Sequence, residues 1–202
     1  MDHVQEGKTK LLRETGTQSG GFPLVRITQK DDITAGDGKK HDLLPGKGRW
    51  MNSTCATVFG VLNACGIPTA FLEKDSDTTS IGYLCDMIPI EEVVRREARG
   101  SYRKRHPDVE EGAHFGAPLV EMFLKTKDRR WGDLELPCDD PLLVFGMSAG
   151  KPHAILYRPD VPQAEGLIAS LPLSEALEPE LLRAYHYRED MARIAVGTFL
   201  IL

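Results

Sequence analysis

Two lysines near the start of the chain could bind phosphate. Lys8 and Lys10 alternate with Thr9 in "EGKTK", so on a strand they would lie on the same face. Two like charges on one face repel each other unless an anion lies near them, and a phosphate chain would be such an anion. The alternative is a solvent-facing edge strand, where lysines are common.

A basic cluster after an apolar run gives a second signal for phosphate. It comprises Arg95, Arg96, Arg99, Arg103, Lys104, Arg105 and His106. The planar guanidinium of arginine makes paired, charge-assisted hydrogen bonds to phosphate oxygens. Gly100 lets the backbone approach a ligand closely, and Ser101 adds a small donor. The alternative is a solvated basic surface.

Two further positions give weaker signals. Gly36 and Gly38 flank Asp37, and a glycine-rich turn can direct backbone N–H groups at an anion. The segment matches neither a P-loop nor a dinucleotide-binding motif, so a plain turn is the alternative. Lys125 follows an apolar strand pattern, where lysine is usually a surface residue with a buried stem. A buried Lys125 would indicate a phosphate or carboxylate partner.

The first structural element predicted to position these residues is a β-hairpin. Residues 7–14 and 23–30 have strand character, and residues 15–21 are rich in turn formers. Residues 31–42 are predicted to be a loop. From about 47 to 65 the apolar period indicates a helix, which Gly66 and Pro68 should end. Its predicted buried face consists of Met51, Cys55, Val58, Leu62 and Cys65.

The rest of the chain is less regular. Residues 69–75 and 79–90 are predicted as strands joined by a turn, and residues 117–125 as another. Residues 126–173 give no clear order. A helix should begin near Pro179, with Leu182, Tyr185, Ala192, Ala195 and Phe199 on roughly one face. The chain ends on an apolar stretch without a capping signal, which favours a break within a helix over a docked terminus.

Composition excludes several classes of protein. The 202 residues suffice for one substantial domain or two small lobes. The formal charge, 25 minus 30 or -5, argues against a dedicated nucleic-acid binder. No apolar run reaches the roughly 18 residues of a membrane span, and the N-terminus lacks a secretory signal. Four widely spaced cysteines predict unpaired thiols in a reducing cytoplasm, and their spacing does not support a zinc site.

Several of these segments together resemble the SAICAR synthetase (phosphoribosylaminoimidazole-succinocarboxamide synthase) family. The matching segments are "EGKTK", "DDITAGDGKK", "GIPTAF", "MIPIEEVVRREARGSYRKRHP" and "PLVEMFLK". They occur in the order and at the spacing of that family over roughly residues 5–127. Each motif alone is weak, but the ordered set is specific.

The resemblance implies an α+β, two-lobed ATP-binding fold. Residues 1–87 would form an antiparallel β-rich N-terminal lobe that binds ATP. Residues 88–202 would form a mixed α/β second lobe, incomplete at its C-terminus. Family members use ATP and Mg²⁺ to join a carboxyaminoimidazole ribotide to L-aspartate through an acyl phosphate. Small-molecule substrates and a homo-oligomer are therefore expected, without a nucleic-acid or membrane partner.

The resemblance also implies site residues. Lys8 and Lys10 would lie over the ATP phosphates, and Leu12 would contact the adenine. Further ATP contacts would come from Asp86 and Met87 at the interlobe hinge and from Lys125. Substrate contacts would come from Arg95 and Ser101, at the ribotide phosphate, and from Thr34, Ala35, Gly36 and Asp37, beside the aspartate and ribotide. No catalytic residue is assigned.

Three departures from the family pattern keep alternatives open. Arg99 replaces the usual Ala or Thr before Gly-Ser. The segment "TKDRRWGDLELPCDDP" replaces a shorter acidic one. The family's late "D-x-K-x-E-F-G" segment, which supplies metal-binding carboxylates, does not occur, so no metal ligands are assigned. One alternative is a paralogue acting on another ribotide in nucleoside antibiotic biosynthesis of the coformycin type. The other is a non-catalytic nucleotide-binding protein.

Overall fold

The computed structural model describes residues 4–35 and 40–202 of the chain. The chain divides into two compact units. The first is Met1–Asp86 together with Ile201–Leu202, and the second is Met87–Leu200. The fold class is α+β as expected, because the strands pair antiparallel and the helices are few. No helix among the described residues is both long and apolar enough to cross a membrane.

The first unit is built on an antiparallel sheet. In chain order it contains β1 (Val4–Glu6), β2 (Lys10–Ser19), β3 (Phe22–Gln29), β4 (Asp32–Ala35), β5 (Lys40–Leu43), α1 (Lys47–Ala64), β6 (Phe71–Lys74) and β7 (Thr79–Tyr83). Five of these strands form one sheet in the order β1-β2-β3-β7-β6, and β4 pairs with β5.

The predicted hairpin is confirmed, because β2 pairs with β3 from Lys10 opposite Gln29 to Ser19 opposite Phe22. The connector predicted at residues 15–21 is wrong in extent, since β2 continues to Ser19. Only Gly20 and Gly21 form the turn, with φ of 58° and 83°. Positive φ at both central residues is the requirement of the tight turn that suits a twisted hairpin.

The loop predicted at residues 31–42 is wrong, because β4 and β5 form a second hairpin there. The imidazole of His41 lies 2.7 Å (Nε2–Oδ1) from Asp32 on the neighbouring strand. These strands are four residues long and mostly polar, so they lack the alternating apolar pattern from which strands are predicted. Residues 36–39, which connect the two strands in the sequence, lie outside the described residues.

Helix α1 confirms the predicted helix, and it ends as expected at Gly66, whose φ is 81°. The amide of Ile67 donates to the carbonyl of Leu62 at 2.9 Å, and that of Gly66 to Asn63 at 3.1 Å. These two bonds form a Schellman motif. The apolar spacing therefore located both the helix and its end correctly.

The buried face predicted for α1 is partly wrong. Met51 and Cys65 are exposed, whereas Gly48, Asn52 and Leu62 are buried. A Cβ atom on Gly48 would lie 2.6 Å from the carbonyl oxygen of Gln29, so only glycine allows the helix to approach β3 this closely. An apolar period cannot detect a contact made by a glycine and an asparagine.

Asn52 connects α1 to the β6–β7 turn. Its side-chain amide donates to the carbonyls of Ser76 and Thr79 at 2.9 and 3.2 Å, and its Oδ1 accepts from the Ser80 hydroxyl at 2.6 Å. The side chain is fully buried. Replacing it removes the donor and leaves buried acceptors unsatisfied.

We expect Asn52→Ala to lower the free energy of unfolding by about 2 kcal/mol, as measured by urea denaturation. Asn63→Ala is the matched control, since Asn63 lies on the same helix and also bonds to the backbone, at Phe71 and Thr69, but is exposed. It should cost less, because water can replace its bonds. Equal losses for the two variants would contradict the role given to Asn52.

The second unit is built on another five-stranded antiparallel sheet, in the order β14-β13-β12-β9-β8. In chain order the unit contains β8 (Ile90–Glu97), α2 (Ser101–Arg105), β9 (His114–Leu124), β10 (Arg130–Trp131), β11 (Leu134–Glu135), β12 (Leu142–Ser148), β13 (Lys151–Tyr157), a 3₁₀ turn (Gln163–Glu165), β14 (Leu167–Pro172) and α3 (Pro179–Ile201).

Several predicted bounds change in the structure. The strand predicted at 79–90 stops at Tyr83, and residues 84–89 contain no strand. The strand predicted at 117–125 is β9, and the helix predicted near Pro179 is α3. The buried residues of α3 are Leu181 and Ala184, while Leu182 and Tyr185 are half-buried.

The segment predicted to be irregular, residues 126–173, supplies much of the core. Its members of the buried cluster are Leu136, Leu143, Ala154, Leu156 and Leu173, which join Leu124 and Leu181. Trp131 packs against the same cluster, and its indole N–H donates to Glu178 at 2.8 Å. The altered segment after Lys125 is therefore part of the fold rather than a loose loop.

Glu92 is an acidic side chain in an unfavourable environment on β8. Its Oε1 atom is buried and has no hydrogen-bond partner among the described residues, and burial raises the pKa of the carboxyl group. A raised pKa means that the folded state binds the proton more tightly than the unfolded state. Stability should therefore fall as the pH rises from the unfolded value, about 4.3, through the folded one.

We expect Glu92→Gln to reduce the loss of stability between pH 4 and pH 7.5, because an amide does not ionise. Urea denaturation at both pH values measures the difference. Glu175→Gln is the control, since Glu175 is exposed, and it should keep the pH dependence of the parent. An unchanged pH dependence in Glu92→Gln would show that burial of Glu92 does not matter.

Candidate functional site

Arg95 and Ser101, both predicted substrate contacts, meet at the corner where β8 leads into α2. The Nη2 group of Arg95 donates to Ser101 Oγ at 3.1 Å, and Nη1 donates to the carbonyl of Arg99 at 3.3 Å. Only 16% of the Arg95 side chain is exposed. Two hydrogen bonds from its terminal nitrogens thus hold the partly exposed side chain in a defined orientation.

Gly100 makes this corner sterically feasible. Its φ and ψ are 58° and -132°, a region that residues with a Cβ atom rarely adopt. A Cβ atom there would lie 3.9 Å from Nη1 of Arg95, an ordinary van der Waals distance, so the requirement for glycine comes from the backbone conformation. The backbone can therefore turn tightly around the guanidinium only with glycine at this position.

Glu121 on β9 lies behind the guanidinium of Arg95 and is 8% exposed. It accepts a hydrogen bond from Arg95 Nε at 2.5 Å through Oε2, and one from Arg105 Nη2 through Oε1. Arg105 is itself buried, donates to the carbonyl of Pro159 at 3.4 Å, and lies 5.5 Å from the ring centroid of Phe123. A buried carboxylate thus links two guanidinium groups.

Sequence reasoning missed Glu121 as a functional candidate. Glu121 is a lone charge in the otherwise apolar stretch "PLVEMFL". A charge at that position is rarely buried without a partner of opposite charge. That signal was available, but the identity of the partner depends on the pairing of β8 with β9, which places Arg95 opposite Leu119.

Three other arginines of the basic cluster that contains Arg95 contact different groups. Arg99 is 62% exposed, and its Nε donates to Glu97 at 2.8 Å. This hydrogen bond raises the pKa of Arg99. The guanidinium of Arg96 lies 5.2 Å from the ring centroid of Phe199, and Arg103 donates to the carbonyl of Pro107 at 2.9 Å. The cluster therefore contains structural and surface groups besides Arg95.

Lys125, a predicted ATP contact, follows β9 and pairs with two carboxylates. Its ammonium lies 2.7 Å from Asp140 and 3.1 Å from Glu91. The hydrogen bond with Asp140, followed by that with Glu91, raises the pKa of Lys125. The side chain is 46% exposed, so a nucleotide could reach it. Asp140 also accepts from the amide of Thr126 at 3.1 Å, which fixes the carboxylate beside the lysine.

The N-terminal motif "EGKTK" forms the turn between β1 and β2. The amide of Gly7 donates to the carbonyl of Lys10 at 2.8 Å, and the amide of Lys30 donates to the carbonyl of Thr9 at 2.9 Å. The prediction that Lys8 and Lys10 share a strand face is wrong, because Lys8 lies in the turn and only Lys10 belongs to β2. Both side chains are exposed, and Leu12 on β2 is half-buried.

The remaining predicted residues fall in three places. Thr34 and Ala35 lie on β4, opposite His41 and Lys40 of β5. Gly36 and Asp37 lie outside the described residues. Asp86 and Met87 lie in the segment between β7 and β8, with Met87 76% exposed and its carbonyl accepting from Arg183 Nη2 at 3.3 Å.

The described residues do not form a recognisable cluster of metal ligands. Among residues 4–35 and 40–202, no group of three or more His, Cys, Asp or Glu side chains is placed to hold an ion. The carboxylates of Glu91 and Asp140 are paired with Lys125. The described residues therefore contain no ready-made ligand cluster for the Mg²⁺ that the resemblance implies.

A cavity of about 520 Å³ lies apart from the predicted site residues. It is lined by Trp131, Gly132, Asp133, Leu134, Leu177, Glu178, Pro179 and Glu180. These residues come from the β10–β11 hairpin, from the two residues that precede α3 and from the first two residues of α3.

Comparison with known proteins identifies relatives of this chain. The family model described as SAICAR synthetase matches residues 3–151. The chain is 44% identical over 151 residues to the multifunctional protein ADE2 of Gallus gallus, which covers 73% of this chain and 34% of that protein. It is 43% identical over 128 residues to phosphoribosylaminoimidazole-succinocarboxamide synthase of Roseiflexus sp. (strain RS-1), covering 63% of this chain and 50% of that protein. The chain thus spans half or less of the length of these relatives.

Solved structures share the fold. A SAICAR synthetase (Type-2) in complex with ADP superposes with a TM-score of 0.64 at 24% identity, covering 98% of this chain and 66% of that one. Phosphoribosylaminoimidazole-succinocarboxamide synthase from Ehrlichia chaffeensis gives a TM-score of 0.59 at 19% identity, covering 98% and 65%. At these identities the similarity establishes the fold.

Proposed function

This chain belongs to the SAICAR synthetase family, and on that premise we propose that its protein is an ATP-dependent ligase of purine biosynthesis. The reaction joins a carboxyaminoimidazole ribotide to L-aspartate. The ribotide carboxylate takes the γ-phosphoryl group of ATP, which gives an acyl phosphate and ADP. The aspartate amine then attacks the acyl carbon, the amide bond forms, and inorganic phosphate leaves.

The observation that carries the proposal is the corner formed by Arg95, Gly100 and Ser101. It presents a guanidinium held by Glu121 beside a serine hydroxyl, and the backbone turns closely around both. A phosphate monoester carries up to two negative charges and several acceptor oxygens, which match this set of donors. We assign the ribotide phosphate to this corner.

The nucleotide assignments follow from the family. Lys8 and Lys10 would contact the ATP phosphates, and Leu12 the adenine. Both lysines are exposed at the β1–β2 turn, which suits a turn that covers a phosphate chain. Lys125 would be another nucleotide contact, and Asp86 and Met87 would offer backbone groups to the adenine. The solved relative bound to ADP supports a nucleotide site in this fold.

The acceptor side of the reaction would involve the β4–β5 hairpin. Thr34 and Ala35 lie at the end of β4, directly before Gly36 and Asp37. We assign these four residues to contacts with aspartate and the ribotide. Phosphoryl transfer depends mainly on positioning and on stabilising negative charge, so this assignment requires no nucleophilic side chain in the segment.

Mg²⁺ belongs to the family's reaction, but the described residues contain no cluster of three or more side chains that could hold it. The small-molecule substrates, a cytoplasmic location and a homo-oligomer remain part of the proposal, as do an ATP-binding lobe over residues 1–87 and a second lobe over residues 88–202. No nucleic-acid or membrane partner is proposed.

The structure gives no support to Arg99 as the origin of a changed substrate. Its guanidinium pairs with Glu97 and lies 3.8 Å from Glu111, while only its backbone carbonyl contacts Arg95. The altered segment after Lys125 contributes Leu136 to the core, which gives it a structural role. We therefore propose a single function.

The test is a turnover assay with the complete gene product that carries this chain. Phosphate release from ATP should require both the carboxyaminoimidazole ribotide and aspartate, and omission of either should abolish it. Turnover with another ribotide and none with this one would favour a recruited paralogue. Nucleotide binding without any turnover would favour a non-catalytic role.

A further inference from the structure

We propose that Glu121 is a positioning residue for Arg95 and that Arg105 holds Glu121 in place, so that a buried Arg105–Glu121–Arg95 relay sets the affinity for the ribotide phosphate. This inference rests on the proposed function, because it takes the ribotide phosphate as the ligand of Arg95. Glu121 is 8% exposed and Arg105 is 2% exposed, so neither is offered as a direct contact of the ligand.

The hydrogen-bond inventory of Arg95 supports the relay. A guanidinium has five N–H groups. Three of them donate to Glu121, to the carbonyl of Arg99 and to the hydroxyl of Ser101. One N–H group on each terminal nitrogen is left without a partner among the described residues. These two groups form the fork that binds phosphate oxygens in pairs.

The direction of that fork depends on Glu121. Its Oε2 atom binds Arg95 through Nε, at 2.5 Å. A hydrogen bond to Nε restricts rotation of the planar guanidinium group. It does not occupy the two terminal nitrogens, which form the fork. Ser101 accepts from Nη2, and its hydroxyl hydrogen can still be donated to the same ligand.

The fixed position of Glu121 depends in turn on Arg105. Oε1 of Glu121 accepts from Arg105 Nη2, and Arg105 is anchored by the carbonyl of Pro159 and by the ring of Phe123. Arg105 comes from α2 and Glu121 from β9. The relay therefore ties the corner at Ser101, the first residue of α2, to β9, the strand beside the edge strand β8. Without the carboxylate, two like charges would face each other with one of them buried.

The inference predicts a selective kinetic effect. Glu121→Gln should raise the KM for the ribotide about tenfold, in line with a charge-assisted hydrogen bond, and leave the KM for ATP unchanged. Binding of the ribonucleoside that lacks the phosphate should not change. A purely structural role for Glu121 would instead lower activity with all substrates through loss of folded protein.

A double-mutant cycle isolates the relay. In an Arg95→Ala background, Glu121→Gln should have no further effect on the KM for the ribotide, because its target is absent. Glu97→Gln is the matched control, since Glu97 also pairs with an arginine, Arg99, at 2.8 Å. It should leave the KM for the ribotide unchanged. Additive effects of Arg95→Ala and Glu121→Gln would overturn the proposal.

A second variant covers the case in which Glu121→Gln does not fold. The double change Glu121→Leu with Arg105→Met removes both buried charges, a replacement that is often tolerated. It should fold and still raise the KM for the ribotide about tenfold, because Arg95 is no longer held. If the parent turns over the ribotide and this variant has an unchanged KM, the relay is wrong. If the parent itself neither binds nor turns over the ribotide, the proposed function has failed instead.

Discussion

Replacing Arg95 with alanine should raise the dissociation constant for the ribotide by roughly 10- to 100-fold and leave that for ATP within about twofold. A hydrogen bond to a charged group contributes roughly 1.5–3 kcal/mol, and each 1.4 kcal/mol is a factor of ten in affinity. Arg95 lies on β8 with its guanidinium at Ser101, whereas the lysines assigned to the ATP phosphates lie on other segments. Isothermal titration with each ligand measures the two effects.

Arg96→Ala is the matched control for this experiment. Arg96 is the next residue on the same strand, and its guanidinium lies against the ring of Phe199, whereas that of Arg95 donates to Ser101. Loss of this side chain should leave the affinity for the ribotide unchanged. Equal losses of ribotide and ATP affinity in Arg95→Ala would contradict the assignment of the phosphate to this corner.

Replacing Arg105 with alanine should lower the free energy of unfolding by about 3 kcal/mol. Removing one partner of a buried ion pair costs roughly 3–5 kcal/mol, and the lower end applies because Glu121 keeps its bond to Arg95. The change also removes the donor to Pro159 and the contact with Phe123. Urea denaturation followed by circular dichroism measures the loss.

Lys104→Ala serves as the control for Arg105→Ala. Lys104 precedes Arg105 on α2 and is exposed, and a surface substitution usually changes stability by less than about 0.5 kcal/mol. A similar result for the two variants would mean that α2 tolerates the loss of any basic side chain. Arg105 would then be a surface residue in solution, and the relay through Glu121 would have no anchor.

The sequence predicts those elements whose signals are local. The hairpin of β2 and β3, helix α1 with its end at Gly66, and the start of α3 at Pro179 all follow from turn formers, apolar period and capping residues. The hairpin of β4 and β5 could not be predicted in this way. Its strands are short and mostly polar, and they are joined by backbone pairing and by the contact of His41 with Asp32.

The core of the second unit could not be predicted from the sequence, for a different reason. Leu136 and Leu173 lie in stretches without a strand or helix period, yet both are buried in the main cluster. Their burial depends on which segments, distant in the sequence, pack against them. It also depends on the pairing of β12 with β9 and β13. A local pattern does not contain that information.

The residues of the candidate site also divide into those that the sequence predicts and those that it does not. Arg95 and Ser101 could be named from the family motif, and the structure brings them within hydrogen-bond distance. Glu121 and Asp140 could not be assigned, because their partners Arg95 and Lys125 lie 26 and 15 residues away. Lys8 and Lys10 are exposed, but the strand inferred for Lys8 is a turn.

A crystal structure of the protein with the carboxyaminoimidazole ribotide tests the central claim most directly. The account predicts that the ribotide phosphate accepts hydrogen bonds from the terminal nitrogens of Arg95 and from Ser101 Oγ, while Arg95 Nε keeps its bond to Glu121. A ribotide bound with its phosphate at another place, and with the guanidinium of Arg95 bonded to protein groups alone, would contradict it.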